Sequence, residues 1–344
     1  MKSKVTMHRL AEEAQVSTAT VSRVLTGHPM VAPETRERVQ SLIDKYQYRP
    51  NGFARSLVRQ QSNMLGMLVQ DIENPYFANM YLQAERFAAE HGYALLMTSS
   101  ISFKNERDSL LALMEWQIDG LLMVSSSLDA MVPAPETLDF LRTIQRKARM
   151  LMINEPVKGF AGPYVVPDNY GGYRKATQYL ISLGHRNIAF VGGSDDTRTI
   201  QIRHQAYCDA MTEAGLTPDP TNTCFTGYSV DAGSQGMMRL LGNGNLPTAI
   251  LTSNDMVAMG VMKTCHQQRL EVPIDLSVIS CDRTYISYGM YPELTTIDIS
   301  PEKQGELAVE RLLSLIHGEG QASEVVRVPA QLCVRGSTAK LTTR

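Results

Sequence analysis

From Met64 onward the chain repeats one unit: a short, almost wholly apolar run followed by an amphipathic helical stretch. The runs are MLGMLV, YALLMTSS, IDGLLMVSS, RMLMIN, NIAFVGG, TAILTSN and LSVISCD, and between them lie stretches such as PYFANMYLQAERFAAEHG and YGGYRKATQYLISLGH. A strand that is apolar at nearly every position has no solvent face, so it belongs in a sheet covered on both sides. Alternation with helices makes that sheet parallel. At 344 residues the chain exceeds a common single-domain size of roughly 100 to 150 residues. The repeat therefore predicts two α/β lobes.

The first 48 residues follow a different rule. Thr6 is placed to cap a helix carrying Leu10, Ala11 and Ala14. Ser17 is placed to cap a second, TATVSRVL, whose Val21, Val24 and Leu25 share a face. A third starts at Pro33, suited to a first helical position, and aligns Val39, Leu42, Ile43 and Tyr46. This predicts an all-α three-helix head over 1–48 with a core of few side chains. Residues 49–62, RPNGFARSLVRQQS, read as a linker. Asn51 is a capping residue and Ala54, Arg55 and Leu57 favour a helix, but one so short forms only when something holds it. Residues 63–344 make up the remaining domain.

Charge separates these parts. The formal net charge is −2, yet residues 1–62 hold ten Lys and Arg against five Asp and Glu, a net of +5 that leaves −7 for the rest. A basic head on an acidic body confines polyanion binding to the head. No apolar run approaches the roughly 20 residues of a membrane span, and MKSKVTMHRLAEEA lacks a signal peptide's apolar stretch, so a cytoplasmic protein without membrane contact is expected. Cys208, Cys224, Cys265, Cys281 and Cys333 form no metal-ligand spacing and read as reduced thiols. The Gly-rich turn GGSDD lacks the spacing of a dinucleotide fingerprint or P-loop, and no nucleophile stands beside a base. Neither cofactor nor enzymatic activity is expected.

The stretch VSTATVSRVLTGHPMVAPETRERVQSLIDKYQYRPNGFARSL, residues 16–57, resembles the head and hinge of the lactose and galactose repressor family. The likeness continues through DIENPYFANM, WQIDGLLM, SLGHRNIAFVGG, LTSNDMVAMGVM, DLSVISCD, ELTTIDIS and VPAQLCVRGST. It implies a helix-turn-helix whose second helix enters the major groove, with Thr18, Ala19 and Arg23 at base edges. Arginine pairs with guanine O6 and N7, and Ala or a Thr methyl meets a thymine methyl. Thr6, Ser17, Thr20 and Ser22 fall to phosphates or capping. The hinge residues Asn51, Ala54, Arg55 and Leu57 belong to the minor groove, with Leu57 as the wedge. A homodimer on a near-palindromic double-stranded operator follows from this resemblance. Gln15 stands where the family often has Gly in the turn, at about 1 kcal/mol if its φ is positive.

The two lobes resemble periplasmic sugar-binding proteins, with approximate boundaries of 63–164 plus 297–322 for the first and 165–294 plus 325–341 for the second. Ligands of such sheets sit beyond strand carboxyl ends. This singles out Asn74, Tyr76, Phe77, Asn154, Asn254 and Asp282, and the resemblance adds Thr199, Arg203 and Tyr228. Aromatic faces with hydroxyl-bonding side chains suit a sugar or sugar derivative, Asp282 and Arg203 being free to pair with each other. A repressor that depends on a purine corepressor is one alternative, and a sugar-binding protein without a DNA role is another. Ser280 and Cys281 replace a frequent Gly and aromatic before the Asp, and Asn154 stands where many sugar binders have Asp. The end of the chain, STAKLTTR, lacks leucine heptads, so a dimer and not a tetramer is expected. Its face is assigned to PYFANMYLQAERFAAEHG and NERDSLLALMEWQ.

Overall fold

The head forms around Leu10, Ala11, Ala14, Val21, Val24, Val31, Val39 and Ile43, all buried. They lie on three helices: α1 (Met7–Glu13), α2 (Thr18–Leu25) and α3 (Pro33–Tyr46). The computed structural model describes residues 5–25, 27–48, 62–100, 103–124, 126–244, 246–321 and 323–342. Two compact units emerge, residues 1–63 and 64–344. In the first, Thr6 caps α1 by accepting from the Arg9 amide at 3.3 Å, and Ser17 Oγ accepts from the Thr20 amide at 3.1 Å. Tyr46 on α3 donates to the Glu13 carboxylate at 2.8 Å, which joins α3 to α1 and holds Glu13 below the usual carboxylate range.

The second unit begins with β1 (Met64–Val69), α4 (Pro75–Glu90), β2 (Ala94–Ser99), α5 (Phe103–Glu115), β3 (Gly120–Met123), α6 (Ser126–Asp129), α7 (Pro135–Gln145), β4 (Arg149–Met152) and β5 (Tyr164–Pro167). The second lobe runs through α8 (Asn169–Ser182), β6 (Ile188–Val191), α9 (Arg198–Glu213), β7 (Thr223–Cys224), α10 (Val230–Gly242), β8 (Ala249–Thr252), α11 (Asp255–Gln267), β9 (Ser277–Cys281), α12 (Tyr285–Gly289) and β10 (Thr295–Asp298). The chain then returns through α13 (Pro301–Ile316), β11 (Val325–Val328) and β12 (Gln331–Cys333).

These strands make two six-stranded sheets, ordered β11-β5-β4-β3-β1-β2 and β12-β10-β9-β8-β6-β7. The first is wholly parallel, with Leu65 opposite both Leu95 and Gly120, whereas β12 runs antiparallel to β10. The buried runs of β3, β5, β6, β8 and β9 show no exposed position, as strands covered on both faces require. In each sheet the order reverses beside the first strand of its lobe, between β1 and β3 and between β6 and β8. Such switch points open a crevice at the strand carboxyl ends.

The lobe boundaries differ from those expected at three places. β5 and β11 both lie in the first sheet, paired in parallel with Val325 opposite Tyr164, and β10 lies in the second. The chain therefore crosses between lobes at 167–169, 298–301 and 328–331. An apolar strand carries no mark of the sheet it joins, so edge pairing decides this. Helix α13 comes back to the first lobe and lies so close to α4 that a Cβ on Gly305 would strike the Met80 carbonyl. All five cysteines are free thiols. Among the described residues no helix is long and apolar enough to cross a membrane.

Candidate functional site

The carboxyl ends of strands from both sheets converge on a cavity of about 380 Å³. Every effector residue proposed from sequence lines it: Asn74, Tyr76, Phe77, Asn154, Thr199, Arg203, Tyr228, Asn254 and Asp282. Their local roles divide them. Asn74 caps α4, its Oδ1 accepting from the Tyr76 amide at 3.0 Å. Asn254 caps α11 through the Val257 amide at 2.8 Å and gives its Nδ2 to the Tyr228 carbonyl at 3.0 Å. Its amide is thus consumed by the scaffold. Tyr76 and Phe77 meet edge to face with ring centres 5.0 Å apart, and the Tyr76 hydroxyl donates to Gln304 on α13 at 2.8 Å. Tyr228 keeps an exposed ring, its hydroxyl 3.0 Å from Thr197 Oγ1.

Arg203 and Asp282 form the buried polar centre, 7% and 3% exposed. They do not make the ion pair anticipated from sequence. Arg203 Nε donates to Asn169 Oδ1 at 2.9 Å and Nη1 to the Ser253 carbonyl at 2.6 Å, and the guanidinium lies 5.3 Å from the Tyr173 ring centre. These acceptors fix its plane and leave Nη2 without a partner among the described residues. Asp282 has a left-handed backbone, φ 103°, followed by Arg283 at φ 55°. Asp255 holds that turn: its carboxylate accepts from Ser280 Oγ at 2.5 Å, the Thr284 amide at 2.7 Å and Thr284 Oγ1 at 2.8 Å. Burial pushes the Asp282 carboxyl up to about 7, with the Arg203 charge pulling the other way.

Sequence reasoning named Thr199 but passed over the other residues that bridge the crevice. Asp129, ending α6 in the first lobe, accepts at Oδ1 from the Thr199 amide at 3.1 Å and from Thr199 Oγ1 at 2.7 Å in the second. Beside it Ala130 and Thr197 form an antiparallel bridge, the Met131 amide donates to the Asp196 carbonyl at 2.9 Å, and Arg198 Nη1 reaches the Pro156 carbonyl at 2.6 Å. Burial raises the Asp129 carboxyl to about 6 against the Thr199 bonds. Its signal was its place a few residues beyond the run IDGLLMV, but nothing local distinguishes it from a surface Asp. Gln70, Asp71, Glu155, Asn169, Asp196 and Ser253 also line the cavity and were not singled out as site residues.

In the head, Val21 and Val24 turn inward, while Thr18, Ala19 and Arg23 are exposed together on the other side of α2. Ser17 and Thr6 are exposed at helix starts, where each caps a backbone amide. Ser22 and Thr20 are half-buried beside them, and Ser17 Oγ lies 3.0 Å from Thr20 Oγ1. Gln15, in the turn between α1 and α2, has φ 51°. The hinge residues Asn51, Ala54, Arg55 and Leu57 lie outside the described residues.

Residues 6–51 match the model of the bacterial regulatory proteins of the lacI family, and residues 177–338 match a periplasmic binding protein-like domain. The HTH-type transcriptional repressor CytR of Escherichia coli (strain K12) is 31% identical over 342 residues, covering 99% of this chain and 98% of that one. The chain belongs to the lacI family. Among solved structures, the lac repressor dimer bound to operator and the anti-inducer ONPF is similar at a TM-score of 0.85 with 25% identity, over 97% of this chain and 99% of that one. The transcriptional regulator CelR in complex with cellobiose is similar at 0.72 with 26% identity, over 97% and 99%. This lacI-family member is a DNA-binding transcriptional regulator with a small-molecule domain, and the relatives named are regulators, not enzymes.

Proposed function

We propose that this lacI-family regulator represses a carbohydrate-utilisation operon as a cytoplasmic homodimer on a near-palindromic operator, and that a sugar or sugar derivative in the crevice sets operator affinity. The observation that carries the reading is convergence. Six side chains chosen from separate strand ends and three taken from the family resemblance line one cavity, with aromatic faces at Tyr76, Phe77 and Tyr228 and polar centres at Arg203 and Asp282. Its volume, about 380 Å³, suits a small ligand.

Thr18, Ala19 and Arg23 read bases, and Thr6, Ser17, Thr20 and Ser22 set the register on phosphates. Asn51, Ala54, Arg55 and Leu57 enter the minor groove at the centre of the site, where Leu57 opens a base step. The dimer face falls on α4 and α5, where Leu82, Leu111 and the neighbouring Trp116 are half exposed. A ligand that contacts both lobes favours one lobe separation over another, and that preference is linked to operator affinity. The test is operator affinity of the full chain with and without a sugar panel. A response to one sugar supports the reading, and indifference to all sugars with DNA binding intact overturns the sugar assignment.

A further inference from the structure

The charge of the crevice lining narrows what the cavity accepts. Asp71, Asp129, Glu155, Asp196 and Asp282 all line it, and the lining includes one cation, Arg203, and neither Lys nor His. Arg203 supplies one positive charge against five carboxylates, and its hydrogen bonds go to Asn169 and Ser253 instead of to any of them. Glu155 has a cation outside the lining, Arg327 at 3.7 Å. The other four make no salt bridge among the described residues, although Arg203 acts on Asp282 and Arg203 and Arg198 act on Asp129 to favour the charged form. Asp129 is bonded by Thr199, Asp196 by Ser194 Oγ at 2.6 Å and Asp71 by the Glu73 amide at 2.9 Å. Asp282 makes no ion pair among the described residues. The lining is thus rich in acceptors and holds more carboxylates than cations, with one nitrogen of the buried Arg203 side chain, Nη2, outside the hydrogen bonds to Asn169 and Ser253.

We propose that the effector is an amine-bearing sugar or polyol, bound as the cation, and that phosphorylated and carboxylated sugars are excluded. This rests on the reading of the cavity as a sugar site and adds the charge of the ligand. A protonated amine donates three hydrogen bonds and accepts none, the complement of a carboxylate-lined wall, while one ring hydroxyl accepts from Arg203 Nη2. The exposed ring of Tyr228 offers a further face for the cation. Burial raises the carboxyls of Asp129 and Asp282 against the pull of Arg203, and a bound ammonium adds a second positive charge inside the cavity. An anionic sugar adds a like charge to a poorly solvated site whose lining sets one cation, Arg203, against five carboxylates.

The experiment is calorimetric titration of the full chain at low and at moderate salt with matched sets: glucosamine, N-acetylglucosamine, glucose and glucose 6-phosphate, and the corresponding galactose compounds. For the skeleton that binds, the amine is expected to bind at least about tenfold more tightly than its hydroxyl and N-acetyl counterparts. The preference shrinks with salt, and the phosphate shows no heat. The Asp71→Asn and Asp196→Asn variants, which leave the buried pair in place, each reduce the ratio of amine to hydroxyl affinity. A hydroxyl or phosphorylated sugar bound as tightly as its amine overturns the charge assignment and leaves the sugar reading standing. If no compound of any charge binds, the sugar reading fails and the inference with it.

Discussion

The buried carboxylate of Asp282 is a stability cost, and its size follows from the structure. With a native pKa of about 7 against an ordinary value of 3.8, the folded state holds this proton more tightly than the unfolded chain. Its contribution to stability is therefore fully present below about pH 4 and is lost as pH rises through 7. At about 1.36 kcal/mol per pH unit, ionised Asp282 destabilises the protein at pH 8 by at most about 4 kcal/mol. Asp282→Asn keeps the shape without the charge, and Asn tolerates the positive φ as Asp does. The variant is expected to be more stable than the parent in urea at pH 8. At pH 6, where the parent carboxyl is largely protonated, the advantage falls by about 1.4 kcal/mol. Burial also lowers the pKa of His185 and His204, which acts in the opposite direction over this range, but their effect cancels between parent and variant. Urea unfolding followed by circular dichroism at both pH values measures all four stabilities. An advantage that is absent at pH 8, or equal at the two pH values, refutes the reasoning.

Arg23→Ala is expected to cost about 1 to 3 kcal/mol of specific operator binding and to relax discrimination at one base pair in a gel-shift series; equal weakening on all sequences marks a phosphate contact instead. Gln15→Gly removes a side chain from a left-handed position in the head. It should raise the stability of that unit by about 1 kcal/mol, and an unchanged or lower melting temperature counts against strain there. Thr199→Val deletes the hydroxyl donor to buried Asp129. It should weaken the bridge between lobes by about 1.5 to 3 kcal/mol, seen as faster amide hydrogen exchange at Met131 and Thr199; unchanged exchange shows that the neighbouring backbone bridge suffices.

Much of this protein was legible before any coordinates. Periodicity alone specifies a helical head and two parallel-sheet lobes, because a strand apolar at every position and a helix apolar on one face each have few ways to lose contact with water. Strand-end polar residues pointed to the crevice for the same reason: they are where a buried strand stops being buried. Tertiary structure alone decided which sheet took β11 and β10, since apolar strands pair equally well with either edge. It also set Arg203 against Asn169 and Ser253 instead of Asp282, and made Asp129 a bridge to Thr199. Those choices depend on which groups from distant parts of the chain arrive within hydrogen-bonding reach, and on how little water remains when they do. Neither distance nor dielectric is written in local sequence. The acidic balance of the body was visible as a sum over 282 positions, but only the fold brought five of those carboxylates to one cavity.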